Sequence, residues 1–248
     1  MMPGRRRVAW GVLLAVAAAF SPAPVLFAQS SDPGTEQPAP PAGGGIYKPP
    51  LRGAPGGRIG GASRGAKSAS LPTIELVAPL GHTGETASAT PVLYFLVSQP
   101  VALPTQFTIS APLRPTPVLE ATIPAPPARG LYALRLADYH VRLEPGIIYS
   151  WSVSAIVDPR AWSRNVVASA TILRVPPDAR VDAALDAATP GRRVALLAGA
   201  GLWYDAVAAA ADGGGVDRRA ALDELLTEVG LASPAGADSA GRTPPVLR

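Results

Sequence analysis

The sequence contains no cysteine, only two histidines and very few lysines. The lack of cysteine excludes disulfides, thiolate metal sites and cysteine nucleophiles. The histidines, His82 and His140, stand 58 positions apart, so a closed metal site would need several carboxylates, and no run of alternating Asp or Asn predicts a Ca²⁺ loop. We therefore predict no metal and no cofactor.

The net charge of the chain is also small. The formal net charge is +4, and three of the positive charges are Arg5, Arg6 and Arg7. We expect that segment to be removed, which leaves +1, so the charge gives no support for nucleic acid as a partner.

Residues 1–28 have the three parts of a secretory signal peptide. Arginines end the first part, an apolar run extends from Val8 to Phe20, and small residues lead up to Ala28. We predict cleavage after Ala28, an exported protein, periplasmic or extracellular, and no stable membrane insertion after cleavage. The alternative is an uncleaved anchor, which Pro22 and Pro24 would interrupt.

Residues 29–70 are rich in glycine and proline, which make up 17 of the 42 positions. Such a composition does not support a core of its own, so we predict a disordered linker. Between residues 46 and 70 the linker has a local charge of +5. It is either a solvated tether or a basic tail that meets an anionic surface.

Residues 71–176 contain short apolar runs separated by Gly and Pro, the pattern of a β-sandwich with seven strands. The clearest is Ile147 to Val157, whose odd positions are apolar and whose middle even positions are serines. A second β-rich run, from Val166 to Val175, follows a short polar turn. We predict that the two form an antiparallel hairpin in the core of the sheet, with Trp151 buried.

After Pro177 the apolar period changes to that of helices. Asp178 is placed to cap the first of four predicted helices, and Gly230 to end the last. We predict a helical segment at 177–231, packed on the sandwich, and a disordered tail at 232–248. The predicted fold class is mainly β with a small α appendage.

Five segments together resemble a bacterial family known as domain of unknown function 928. They are YKPPLRGAPGGRIGGASRG at 47–65, LVAPLGHTGET at 76–86, the strand TPVLYFLVS, LEPGIIYSWSVSAIV, and GLWYDAV at 201–207. The resemblance implies an exported protein with an immunoglobulin-like or fibronectin-like sheet. It implies no activity, ligand or catalytic residue.

Two local patterns are typical of enzymes but lack the right surroundings. Ser63 lies in a literal G-x-S-x-G, and Gly61 to Ser68 is close to a phosphate-binding loop. Both motifs need regular structure around them, and here Gly and Pro flank them. A hydrolase using Ser63, or a carboxylate pair such as Asp138 and Glu144, is therefore a minor alternative.

Aromatic residues divide into expected core and expected surface. We expect Tyr149, Trp151, Trp203 and Tyr204 to pack between elements. Trp162 lies in the hairpin turn between Arg160 and Arg164, the residue types that dominate binding surfaces. We predict that these three residues, with His82 from a polar loop, form a partner-binding surface.

The sequence thus predicts a non-enzymatic, exported interaction module whose partner is another protein of the cell envelope. The alternative is an envelope glycan-binding module in which Trp162 contacts the sugar.

Overall fold

The computed structural model describes residues 46–50, 56–59, 71–212, 216–232 and 245–247. Eight strands occur in this part of the chain, and they lie in two sheets. The strands are β1 (Ile74–Leu76), β2 (Gly84–Thr86), β3 (Val92–Val97), β4 (Thr105–Ser110), β5 (Leu119–Ile123), β6 (Gly130–Arg135), β7 (Ile148–Ala155) and β8 (Val166–Arg174).

One sheet has the order β1-β3-β6 and the other has the order β2-β8-β7-β4-β5. All neighbours are antiparallel except β2 and β8, which run parallel. The seven strands that the sequence predicts are all present. The additional one is β2, which lies in the loop where we expected only polar turns.

The β7–β8 hairpin forms as predicted, with Trp151 opposite Ala170 and Ser152 opposite Ser169. Trp151 is completely buried, and its neighbours on the same face of β7 are buried too. The prediction extended this apolar face to Val157, and there it is wrong. The strand ends at Ala155, so Val157 lies in the turn and is 39% exposed.

Four α-helices follow the sheets: α1 (Ala179–Asp186), α2 (Pro190–Gly199), α3 (Trp203–Ala211) and α4 (Val216–Glu228). The side chain of Asp178 accepts a hydrogen bond from the N–H of Arg180 and so caps α1, as predicted. After α4, Gly230 adopts a left-handed conformation with φ 67°. The N–H of Leu231 then bonds the carbonyl of Leu226, which ends the helix.

The helices share one hydrophobic core with both sheets. Trp203 and Tyr204 of α3 are as deeply buried as Trp151, and Leu225 and Leu226 of α4 are completely buried. The predicted class, mainly β with a C-terminal helical segment, is therefore confirmed.

Short stretches on both sides of the 71–232 region also pack on it. Ile59 forms an antiparallel bridge with Ser169 of β8, and Val246 forms a parallel bridge with Ala133 of β6. Tyr47 is buried. These stretches fall in the predicted linker and the predicted tail, and here they are part of the fold.

The predicted signal segment, 1–28, lies outside the described residues. Within the part of the chain that is described, no helix combines the length and the apolar character that a membrane span requires.

Candidate functional site

The turn between β7 and β8 is braced by one amide side chain. Oδ1 of Asn165 accepts hydrogen bonds from the backbone N–H groups of Val157 (2.9 Å) and Asp158 (3.0 Å). Asn165 is itself buried. Because the buried side chain of Asn165 bonds the backbone on the opposite side of the turn, the tip of the turn has a defined shape.

That tip presents Trp162, which is 64% exposed and begins a short 3-10 helix, Trp162–Arg164. Arg160 and Arg164 are also exposed, as the sequence predicts for a surface facing solvent. Arg164 lies 3.5 Å from Asp158, an exposed ion pair that contributes little stability. We call Val157, Arg160, Trp162, Arg164 and Val167 the hairpin tip.

His82 is not part of the hairpin tip. It precedes β2, whose Gly84 pairs with Ile172 near the far end of β8. From Ile172 to Val166, where the turn begins, β8 extends roughly 20 Å. The structure therefore separates His82 from the three residues with which we grouped it.

Instead, His82 packs against Tyr47. The Tyr47 hydroxyl lies 2.8 Å from Nε2 of His82, and the two rings are nearly parallel, with planes 8° apart. On its other side, the Tyr47 ring meets Trp203 edge-on at 4.8 Å between centroids. The pairing gives His82 a structural partner in the segment that we predicted to be a linker.

Below this pair, two indoles connect the helices to the sheets. Trp203 Nε1 donates to the carbonyl of Val77 at 3.1 Å, and Trp151 Nε1 donates to the hydroxyl of Tyr204 at 3.0 Å. The same hydroxyl donates to the carbonyl of Thr171 at 2.9 Å. Burial of these polar atoms is thereby compensated.

The stretches 46–50 and 56–59 form hydrogen bonds with the C-terminal end of α4, the residue after it, and β8. The N–H of Tyr47 donates to the carboxylate of Glu228, and Arg58 Nη2 donates to the carbonyl of Val229 at 2.9 Å. The N–H of Gly57 donates to Thr171 Oγ1 at 3.0 Å. We call Tyr47, His82, Trp151, Trp203 and Tyr204 the junction cluster, since N-terminal segment, sheet and helices meet there.

Ionisable groups around the junction cluster are shifted toward their neutral forms. Burial raises the pKa of Tyr47 and of Tyr204, and it lowers the pKa of His82. Burial also raises the pKa of Glu85 and of Glu228. The polar contacts described above join the N-terminal stretches, the sheets and the helices to one another. The cluster thus has the properties of a structural junction.

Asp205 in the first turn of α3 makes a second polar link. Its carboxylate accepts from the hydroxyl of Thr86 at 3.0 Å and from the N–H of Ala87 at 2.8 Å. Burial raises the pKa of Asp205, and the hydrogen bonds from Ala87, Thr86 and Ser88 oppose that shift. The link ties α3 to the end of β2.

Of the three residues named for the hydrolase alternative, the structure describes two, Asp138 and Glu144. Ser63, and the whole stretch from Gly61 to Ser68, lie outside the described residues. Glu144 lies 3.9 Å from Arg114, both with exposed side chains, and Asp138 lies in a separate 3-10 helix at Leu136–Tyr139. His140 is exposed after that helix. The described residues also contain no group of three His, Asp or Glu side chains that could hold a metal ion.

Sequence reasoning missed the junction cluster, although a signal was present. Four of the segments that carry the family resemblance supply its residues. The segment 47–65 contains Tyr47 and Arg58, and the segment 76–86 contains His82. Trp151 lies in LEPGIIYSWSVSAIV, and the segment 201–207 contains Trp203 and Tyr204. These segments are far apart in the sequence and have no common motif, but their residues contact one another in the folded protein.

Comparison with known proteins identifies one family. The model of the family described as Domain of Unknown Function (DUF928) matches residues 59–238. No curated protein and no solved structure matches the chain.

Proposed function

Because the chain belongs to the DUF928 family, whose description gives no activity, we propose its function from the structure: a non-enzymatic, exported interaction module that binds another cell-envelope protein. The observation that carries this proposal is Trp162, held exposed on a braced turn between two arginines. The module binds through the hairpin tip and uses no cofactor.

Strand order supports an immunoglobulin-like description of the module. Immunoglobulin domains place strands A, B and E in one sheet and C, F and G in the other. The orders β1-β3-β6 and β2-β8-β7-β4-β5 correspond to A-B-E and to a first-strand extension followed by G-F-C-C′.

A side-chain contact supports the same description. Immunoglobulin domains have a tyrosine near the start of strand F whose hydroxyl bonds the backbone a few residues upstream. In the corresponding strand here, the hydroxyl of Tyr149 accepts from the N–H of Glu144 at 3.2 Å. Trp151 stands two residues later, where antibody domains have a cysteine, and this chain has none.

The chemistry of the hairpin tip defines the partner that fits it. An exposed indole with arginines on both sides suits a shallow apolar pocket rimmed by carboxylates. Val157 and Val167, on the two sides of the same turn, are 39% and 37% exposed and add apolar surface to the hairpin tip. We therefore propose an acidic protein surface as the partner.

Cross-linking and pull-down from native envelope would identify the partner, and the purified pair would then be titrated. We expect Trp162→Ala to weaken binding by at least about 30-fold, the effect of a central interface residue. Leu113→Ala is the matched control, because Leu113 is fully exposed in the β4–β5 loop. Equal affinity of the parent and Trp162→Ala would overturn the proposal.

A second candidate function is glycan binding by the same tip. It is favoured by the outer face of the larger sheet, where Thr108, Ser152 and Ser169 stand side by side in register. A glycan stacked on Trp162 would change tryptophan emission, and the change would vanish in Trp162→Ala. An emission change in the parent, together with unchanged binding of the protein partner by Trp162→Ala, would favour the glycan.

Export is tested separately from binding. Mass spectrometry of the protein recovered from a periplasmic fraction should give a chain that begins at Gln29. A chain that retains residues 1–28 in the membrane fraction would instead support an anchor.

The hydrolase alternative has its own test. Any detected activity that persists after single replacement of Ser63, Asp138 and Glu144 would exclude those residues as catalytic.

A further inference from the structure

The outer edge of β6 is occupied by a segment from the end of the chain. Ala133 directs both of its backbone polar groups away from β3. Its N–H donates to the carbonyl of Pro245 at 3.0 Å, and its carbonyl accepts from the N–H of Leu247 at 3.0 Å. The segment therefore extends the smaller sheet by a short parallel strand.

One side chain and one hydroxyl complete the contact. Leu247 is 7% exposed and belongs to the common hydrophobic core, whereas Pro245 is exposed. Tyr139 donates its hydroxyl to the carbonyl of Leu247 at 3.0 Å. Backbone pairing with one buried anchor is how proteins recognise extended peptides by strand addition.

The described segment, Pro245 to Leu247, is short. Three hydrogen bonds and one aliphatic side chain give weak intrinsic binding, because the ordering of the backbone opposes them. Its covalent attachment through residues 233–244 raises its effective concentration and keeps the edge occupied. A longer extended peptide in solution can compete with such an occupant.

We propose that the β6 edge is a strand-addition site for an extended segment of a partner protein that carries an aliphatic anchor, with Pro245 to Leu247 as the resident competitor. The partner segment runs parallel to β6, bonds Ala133, and places a leucine or a similar aliphatic side chain where Leu247 now lies. This site is in the β1-β3-β6 sheet, whereas the hairpin tip belongs to the other sheet. The two proposals therefore stand or fall separately.

The test uses the full chain, a chain lacking Pro244 to Arg248, and a labelled peptide with the sequence of residues 242–248. By fluorescence anisotropy, the peptide should bind the shortened chain at least about tenfold more tightly than the full chain, in which the tethered segment competes. Exchange of the Ala133 amide should become faster on shortening and slow again when peptide is added.

Controls isolate the contacts. A peptide with Leu247→Asp should lose binding. Tyr139→Phe in the shortened chain should weaken peptide binding several-fold, because it removes one hydrogen bond to the peptide. Tyr132→Phe, which removes a β6 hydroxyl bonded to Ala128, should leave peptide affinity unchanged.

If the shortened chain does not fold, Leu247→Asp in the full chain releases the segment without deletion and replaces it in the same titration. A folded chain with a free edge that does not bind the peptide, or an Ala133 amide that does not respond, would overturn the proposal. A dimer of the full chain that disappears on shortening would also overturn it, in favour of exchange between two copies.

Discussion

Trp151 of β7 donates its indole N–H to the hydroxyl of Tyr204 of α3, 3.0 Å away. Both residues are buried, and the same hydroxyl donates onward to the carbonyl of Thr171. The central hairpin of the larger sheet is thus bonded through its own buried side chain to the helical segment.

Tyr204→Phe removes that hydroxyl, leaves the buried N–H of Trp151 without its acceptor and takes a donor from the carbonyl of Thr171. We expect the free energy of unfolding to fall by about 1–3 kcal/mol in urea denaturation. Tyr139→Phe is the control, since it removes a half-buried hydroxyl with a single acceptor. A smaller loss in Tyr204→Phe than in the control would contradict the role of this contact.

Trp151 and Trp162 should respond very differently to truncation. Trp151→Ala opens a cavity in the core, so we expect a loss of about 3–5 kcal/mol. Trp162→Ala removes an exposed ring and should change stability by less than about 1 kcal/mol. Thermal and urea unfolding of the two variants give the comparison, and similar losses would disprove the distinction.

The sheets and the helices should unfold together. Asp205→Ala leaves the hydroxyl of Thr86 and the N–H of Ala87 without an acceptor, at a cost of about 1–3 kcal/mol. Tryptophan fluorescence and far-ultraviolet circular dichroism should report one shared transition, shifted equally for both signals. Asp186→Ala, at the exposed end of α1, is the control. Two separated transitions would mean that the helical segment folds independently.

His82 should make stability depend on pH. Burial lowers its pKa below the ordinary value of 6.5, so the folded state binds the proton more weakly than the unfolded state does. The stabilisation is present above pH 6.5 and is lost as the pH falls through the lowered pKa.

Urea midpoints should therefore fall between about pH 7.5 and about pH 5.5 more in the parent than in His82→Gln. The raised pKa values of Glu85 and Glu228 act in the opposite direction, since protonation of these groups favours the folded state. That effect is common to both proteins and cancels in the comparison. Parallel pH profiles would contradict the burial of His82.

Replacing Gly84 or Gly199 with alanine should change stability in opposite directions. A Cβ on Gly84 would lie 2.7 Å from Cε2 of the buried Tyr204, so Gly84→Ala should destabilise by about 1–3 kcal/mol. A Cβ on Gly199, within α2, would meet nothing within 4 Å. Gly199→Ala should therefore stabilise by about 0.5–1 kcal/mol. Calorimetric melting of the two variants measures both effects.

The sequence pattern predicted those parts of the fold that depend on interactions between residues close together in the chain. The alternation around Trp151 identified its buried face, and Asp178 and Gly230 marked the ends of helices, because period and capping act over a few residues. The short strand β2 was missed because Gly84 to Thr86 shows no alternation and pairs only with β8, far along the chain.

The junction cluster could not be derived in that way either. The glycines and prolines around Tyr47 and Arg58 predict an unpacked chain, and composition carries no information about the partners that these two residues find in His82 and Val229. The exposure of Trp162, in contrast, followed from its place in a polar turn. Surface residues in a turn can be anticipated locally, whereas a contact between distant segments cannot.

The hydrogen bond from Tyr47 to Glu228 joins residues 181 positions apart. Such a contact carries the entropic cost of closing a long loop. When the ribosome makes this chain, the stretch around Tyr47 emerges long before α4 exists to receive it. The junction can therefore be completed only once translation has passed Glu228, and until then the stretch around Tyr47 has no α4 on which to dock.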